Sequence, residues 1–409
     1  MTNSRTPQSR EVTPGLANAQ RKSQVKTGGG GGAKPGFSLD GRTAVRQCCM
    51  YMLDVVITTV FPPTSAMRIL SEGLAARGGR LWVIGDRKGP PAYELPATCF
   101  CSIGKQMELP FELGRMLPER HYARKNLGYL LAIQQGAQTI TETDDDNAPT
   151  SAFWEPRQAQ LRARSAVRPG WWNVYRDFSA ARIWPRGFPL AQLNASFAEP
   201  PATHALVDAE CLIQQGLADD NPDVDALYRL TAELPVRFDA TSAPVALGRG
   251  CWCPFNSQNT TFFPPAWPLL YLPSHCSFRM TDIWRSFVAQ RCLWEMKSRL
   301  SFAGPSMRQD RNEHDLLRDF EQEIPGYLHN DRIRQLLDGL VLEPGRSRAA
   351  VAGNLTACYA AMVKAGFLPE AELSLVAAWN RDLALALARL PVHPVGHAAG
   401  QLPQFRPEL

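Results

Sequence analysis

The chain has 409 residues, 44% of them apolar, and a formal net charge of +5, so it can build one large domain with an appendage or two domains. Its basic residues are scattered rather than gathered into a stripe, which argues against a nucleic-acid partner. The nearest pairs among its ten cysteines have adjacent or C-x-C spacing (Cys48-Cys49, Cys99/Cys101, Cys251/Cys253), which gives neither a disulfide framework nor a zinc site. No signal-peptide h-region and no apolar run of membrane-spanning length is present, so a soluble, cytoplasmic protein without a membrane partner is expected.

Residues 1–45 are polar and include Gly28 to Gly32 in succession, which predicts a disordered tail. The main domain is expected over 46–340. The β-branched run 55–60 predicts a buried strand, ended by Phe61-Pro62-Pro63-Thr64 and followed by a helix to about Ala76. Residues 81–84 predict a second strand that runs into Gly85-Asp86-Arg87-Lys88. Helix then strand recurs at 122–135 and 138–143, with Ala123, Leu127, Leu130 and Leu131 on one helix face, Arg124 and Gly128 off it, and Gly136 as a stop. This alternation predicts an α/β fold, a largely parallel sheet with helices on both faces. Residues 150–280 carry less helix signal and are rich in Pro and Trp. Asp282 is placed as the N-cap of a helix to about Arg299, and 313–340 reads as a charged helix. Residues 341–409 are expected to form a helical appendage and tail, with two Ala/Leu-rich helices parted near Gly366-Phe367-Leu368-Pro369, packing on the main domain or on a second subunit. A homo-oligomer is therefore one expectation.

The most informative stretch is Thr141-Glu142-Thr143-Asp144-Asp145-Asp146-Asn147. Three carboxylates at the end of a buried strand repel one another and resist desolvation, so they call for a cation. A hard divalent ion that also carries phosphate oxygens meets that need. Ligands of parallel sheets bind at the carboxyl ends of strands, where Asp86, Asp144 and Asp146 all fall. A solvated acidic turn is the plainer alternative.

Several ordered blocks resemble the STELLO family of glycosyltransferase-like proteins. They are Val83 to Lys88, Arg124 to Leu130, the Asp triplet, Trp184 to Pro189, Asp223 to Leu230, Pro254 to Thr260, Asp282 to Arg285 and Gln290 to Glu295. The likeness covers roughly residues 53–335 and implies a GT-A-type nucleotide-sugar fold. A fainter likeness links Asp144-Asp145-Asp146, Arg186-Gly187-Phe188-Pro189, Pro222 to Ala226 and Asp282-Ile283-Trp284 to the plant UDP-arabinopyranose mutases. It extends to the flavin-independent GDP-fucose mutases of actinobacterial antibiotic pathways.

The resemblance implies Mn²⁺ or Mg²⁺ on Asp146, with Asp144 on the metal or the ribose. It also implies Asp145 beside the substrate and a last ligand near His314, which is offset from the late His of the plant enzymes. Asp86, Arg87 and Lys88 would hold base or ribose, and Arg124 and Lys125 the diphosphate. Asp223, Asn256, Gln258 and Asn259 would hold the sugar. Arg186, Asp225 and Asp282 are the catalytic candidates. Arg186 is either a diphosphate clamp or a transient sugar carrier. Asp223, Asp225 and Asp282 would hold hydroxyls or move a proton, and in a glycosyltransferase Asp282 would be the general base. The expected substrate is a GDP- or UDP-linked sugar. No G-x-G-x-x-G opens a helix, so no flavin is expected. The reading placed first is a metal-dependent pyranose/furanose mutase. A glycosyltransferase on the same fold and a non-catalytic partner protein are the alternatives.

Overall fold

The computed structural model describes residues 52–198, 205–312 and 315–388. The tail expected over 1–45 and the candidate ligand His314 lie outside them.

The amino-terminal half lays down β1 (Asp54–Thr59), α1 (Ser65–Ala75), β2 (Arg80–Gly85), β3 (Thr98–Cys101), the short helices α2 (Ile103–Glu108) and α3 (Leu113–Met116), α4 (Lys125–Gln134) and β4 (Ile140–Thr143). Thr64 caps α1 by accepting from the Met67 amide, so the Phe61-Pro62-Pro63-Thr64 break is also a helix start. Gly128 lets α4 sit against the sheet. A Cβ there would lie 2.5 Å from Val56 Cγ1 and 2.9 Å from Ile84 Cγ1.

The middle section holds β5 (Asn147–Pro149), β6 (Gln160–Ala166), β7 (Gly170–Trp171), α5 (Leu193–Ala198), β8 (Leu206–Glu210), β9 (Ile213–Asp219), α6 (Ala226–Thr231), β10 (Val245–Leu247), β11 (Cys251–Trp252) and β12 (Asn259–Phe262). After it come α7 (Thr281–Glu295), β13 (Leu300–Gln309), α8 (Leu316–Asp338), α9 (Arg348–Lys364) and α10 (Ala371–Ala388). The long sheet runs β3-β2-β1-β4-β12-β9-β13-β10-β6-β8, with β5 on β13, while β7 and β11 pair separately. β1, β2, β3 and β4 are mutually parallel, as are β9 with β13 and β6 with β10; β12 is antiparallel to both β4 and β9. The mixed α/β sheet matches the expected fold class.

The carboxy-terminal helices pack on the main sheet's own helices. Trp379 Nε1 donates to the Pro268 carbonyl at 3.0 Å. Asp382 accepts from the Glu112 and Leu113 amides, each at 2.9 Å, and so caps α3. Fully buried Glu372 accepts from Tyr271 Oη, from the Ser274 and His275 amides and from His275 Nδ1. Of the two placements expected, the main domain is the one observed. No helix among the described residues is long and apolar enough to cross a membrane.

Glu372→Ala strips the acceptor from several buried donors. It should cost about 2–4 kcal/mol in denaturant titration. A chain ending before Arg348 should fail to yield soluble protein, because buried Tyr359 and Trp379 complete the core beside Tyr271.

Candidate active site

Strand polarity gathers the site. Because β1, β2 and β4 are parallel, Thr59, Asp86 and Asp144 to Asp146 emerge at one sheet edge. Because β12 runs against β4, with Asn259 opposite Thr143, the preceding Asn256-Ser257-Gln258 arrives at that same edge. β9 and β13 run with β4 through β12, so Asp223 after β9 and Gln309 to Asn312 after β13 converge there too. These residues line a cavity of about 1000 Å³, together with Arg186, Asp282, Arg279 and the start of α8.

The three aspartates differ. Asp144 Oδ1 accepts from Tyr122 Oη at 2.6 Å and from Lys125 Nζ at 3.2 Å. Asp145 accepts from Thr59 Oγ1 and, at 3.4 Å, from Asn312 Nδ2; burial raises its pKa. Asp146 Oδ2 accepts from Gln309 Nε2 at 3.1 Å and the Asn312 amide at 3.4 Å. Its Oδ1 is buried without a partner. Burial first, then the Asp144 charge, pushes Asp146 up to about 6. A solvated turn would leave none of these marks.

In the same cavity, Arg186 is buried among acceptors. Its Nε donates to Asp223 Oδ1 at 2.8 Å, and its Nη1 and Nη2 fork onto Asp282 at 3.0 and 2.8 Å. Nη1 also reaches the Arg279 carbonyl. Burial opposes the charge, but Asp223 and Asp282 outweigh it and hold the Arg186 pKa well above the arginine range. Gly187 makes this turn possible. Its φ is +87°, and a Cβ would lie 2.5 Å from Ile283 Cγ2. Asp282 lies in the first turn of α7 rather than at its cap. It also receives the Ser257 amide and Oγ, each at 3.2 Å. Burial would raise its pKa, yet Arg186 and then Arg285 pull it below the ordinary range. Asp223 is less committed, since its Oδ2 is buried with no partner.

The sequence-predicted residues divide. Asp86, Lys88, Asp144, Asp145, Asp146, Arg186, Asp223, Asn256, Gln258 and Asp282 line the cavity. Arg87 does not; it makes an exposed ion pair with Glu119. Arg124 is fully buried, donating to Gln106 Oε1 and to the Leu117 and Gly114 carbonyls, so it is not placed to meet a diphosphate. Lys125 is buried beneath Asp144, spent on Tyr122, the Thr143 carbonyl and Asp144 itself. Asn259 is buried against Ser306 and Arg157. Asp225 caps α6 by accepting from the Tyr228 amide at 2.7 Å and holds Trp184 Nε1 at 2.8 Å. It is a packing residue, not an acid–base group of the cavity. His121, Tyr122, Ser257, Arg279, Gln309, Arg311 and Asn312 were missed. Tyr122 and Arg279 sit two or three residues from motifs that were read, which is the one signal the sequence offered for them.

Asp225 gives a pH test. Burial raises its pKa from 3.8 to about 6, so between those values the folded protein binds more protons than the unfolded one. Stability contributed by this group therefore falls as pH rises through that window. Asp225→Asn cannot titrate, so its stability relative to the native chain should improve from pH 4 to pH 7 by at most about 3 kcal/mol. A constant offset from an Asn amide facing Trp184 Nε1 leaves that slope intact. Equilibrium unfolding at each pH reads it.

Comparison with known proteins bears on this site. The family described as STELLO glycosyltransferases matches residues 279–391. Over 348 residues, 80% of the chain, it is 29% identical to "Probable glycosyltransferase STELLO1" and 28% identical to "Probable glycosyltransferase STELLO2", both of Arabidopsis thaliana. The aligned region spans 44% of each relative's length, so the chain corresponds to less than half of either. The family match takes in Asp282, β13 and α8, and continues through α9 into α10, beyond the limit near residue 335 read from the motifs. The chain is thus similar to the STELLO glycosyltransferases, and that similarity includes the carboxy-terminal helices as well as the cavity-lining blocks.

Proposed function

We propose that the cavity takes a nucleotide-diphosphate sugar and that the protein transfers its sugar to an acceptor hydroxyl. The observation that carries this reading is the unpartnered, buried Asp146 Oδ1 beside Asp144 and Asp145, at a cavity that Asp223, with its own unpartnered Oδ2, also lines. Among the described residues, no three His, Cys, Asp or Glu side chains form a ready-made metal cage. That suits Mg²⁺ or Mn²⁺ on a nucleotide site, where one or two carboxylates hold the ion and substrate phosphates and water complete its shell. Asp146 and Asp144 would hold it. When bound, such an ion neutralises charge on the leaving diphosphate.

The chain's own groups would do the rest. Asp223 Oδ2 would take the proton of the attacking hydroxyl. Asp282, kept ionised by Arg186, would face the positive charge that develops on the sugar. Asn256 and Gln258 would orient its hydroxyls. Arg186 would position the two carboxylates. Its commitment to both argues against a free diphosphate clamp and against a nucleophile.

The pyranose/furanose mutase is the second reading. One observation favours it: Arg186, Asp223 and Asp282, from three of the four blocks that resemble the mutases, meet in a single ion-pair cluster. There the sugar's own ring hydroxyl would replace the acceptor.

Incubation with Mn²⁺ and a panel of UDP- and GDP-sugars, with and without acceptors, separates the readings. Transfer to an added hydroxyl, with hydrolysis in its absence, is expected. An isomeric nucleotide sugar formed without acceptor would establish the mutase. Absence of any Mn²⁺-dependent nucleotide binding would leave a non-catalytic partner. Asp146→Asn and EDTA should each abolish turnover, and Mn²⁺ should restore only the EDTA-treated protein. Asp223→Asn should lower kcat by roughly 10²–10⁴ with KM little changed. Intact-mass measurement should find no sugar on Arg186.

A further inference from the structure

The α8 side of the cavity carries guanidinium groups that the donor reading leaves without a task. Arg279, in the turn before α7, forks onto Glu323 Oε1 through Nε at 3.0 Å and Nη2 at 2.9 Å. Its Nη1 has no protein partner among the described residues. Arg311, just after β13, spends Nη2 on Asp319 at 2.7 Å, which leaves Nε and Nη1 without one. Both side chains are about nine-tenths buried, and both line the cavity. Behind them, Arg229 donates to the Pro222 carbonyl at 2.8 Å and, weakly, to Asn221. Its Nε is buried without a partner, and no carboxylate bonds to it among the described residues.

These groups are close enough to oppose one another. Burial lowers the Arg229 pKa to about 10, and Arg311 and Arg279 push it the same way. Burial and Arg279 likewise lower Arg311, while Asp319, Asp223 and Asp146 support its charge. Glu323 cannot neutralise the group alone, because it also accepts from the Ala226 amide and Tyr327 Oη, each at 2.7 Å. Arg229 Nε, buried without an acceptor, carries a desolvation cost, and the open N–H edges of Arg279 and Arg311 line the cavity beside two like charges. A tetrahedral oxyanion suits this arrangement, since several oxygens can face two guanidinium edges at once.

We propose that Arg279 and Arg311, backed by Arg229, form a phosphate-binding site on the α8 side of the cavity. The ligand is a phosphate group, carried either by the nucleotide donor or by an anionic acceptor. This rests on the substrate-site reading for its location, but the arginines' affinity for phosphate does not depend on the metal.

Titration calorimetry with inorganic pyrophosphate in EDTA tests the site without the metal, and UDP or GDP with Mn²⁺ tests the donor reading. The native chain should bind pyrophosphate in EDTA. Arg279→Ala and Arg311→Gln should each weaken that binding at least about tenfold, while Arg311→Lys keeps part of it. Circular dichroism melts confirm that the variants are folded, and Arg279→Lys serves if either truncation unfolds. If Arg311→Gln weakens nucleotide binding equally, the phosphate belongs to the donor. If nucleotide binding is unchanged while pyrophosphate binding falls, it belongs to an acceptor. Absence of pyrophosphate binding by the native chain, or folded variants that bind as the native does, would overturn the site. Loss of Mn²⁺-dependent nucleotide binding with pyrophosphate binding intact would instead overturn the donor reading alone.

Discussion

The site depends on one buried ion pair. Glu142, in β4, meets Arg285, in α7, through two bonds of 2.6 and 3.0 Å, and Tyr129 Oη from α4 donates to the same carboxylate. Both charged side chains are essentially sealed from water. Burial works against the Arg285 charge, but Glu142 and Tyr129 raise its pKa above the ordinary range. Such a pair adds little net stability over well-packed apolar residues, yet losing one partner leaves a stranded charge that costs about 3–5 kcal/mol. Its value here is metrical. Asp144 follows Glu142 by two residues, and Asp282 precedes Arg285 by about one helical turn. The bidentate contact therefore sets how far the acidic strand end stands from the Arg186 cluster.

A chain of hydrogen bonds joins those two walls at the surface of the cavity. Tyr122 Oη lies 2.6 Å from Asp144, 2.5 Å from Ser257 Oγ and 2.6 Å from Lys125 Nζ, and Ser257 Oγ lies 3.2 Å from Asp282. Two hydroxyl protons must serve three oxygen–oxygen contacts. One arrangement runs from Ser257 through Tyr122 to Asp144; the other runs from Tyr122 through Ser257 to Asp282. Whatever takes up the charge of Asp144 shifts the balance toward the second arrangement. Lys125, misread as a phosphate ligand, thus acts from below by fixing the phenol and its carboxylate neighbour.

Legibility in the sequence followed how local each signal was. The strands ending at Thr59, Gly85 and Thr143 were readable because β-branched runs end there in turn residues and carboxylates. The Asp triplet was readable because its charge cost is local. Arg124 was not, because the amphipathic argument assumes that the polar face of a helix meets water. Here α10 packs on the side of α4 away from the sheet, and α2 and α3 close over the guanidinium. Asp225 and Asp223 looked alike at a spacing of two. Only the tertiary structure shows that one turns into a helix cap and the other into the cavity. β13 was hidden because Gly304-Pro305 breaks its alternation, and its register on β9 shifts there. With β13 unread, nothing connected Gln309, Arg311 and Asn312 to the Asp triplet, although β5 pairs Asn147 directly with Gln309.

That pairing explains the polarity of the whole cavity. β13 is the longest strand, and its end delivers both an amide donor to Asp146 and a guanidinium to Asp319 within three residues. The acidic strand end and the α8 arginines are therefore set apart by one element rather than by two independent loops. Carboxylates gather at the end of β4, Arg279 and Arg311 stand beside α8 with Asp319, and Asp223 keeps one oxygen uncommitted. A ligand with separated charges, anionic on one part and polar but neutral on another, is aligned by such a field before it makes any specific contact. In the proposed reading the neutral part would lie beside Asn256, Gln258 and Asp223, whose side chains offer both acceptors and donors. Asp223 keeps one carboxylate oxygen free of protein partners at that place, while Arg186 fixes the other.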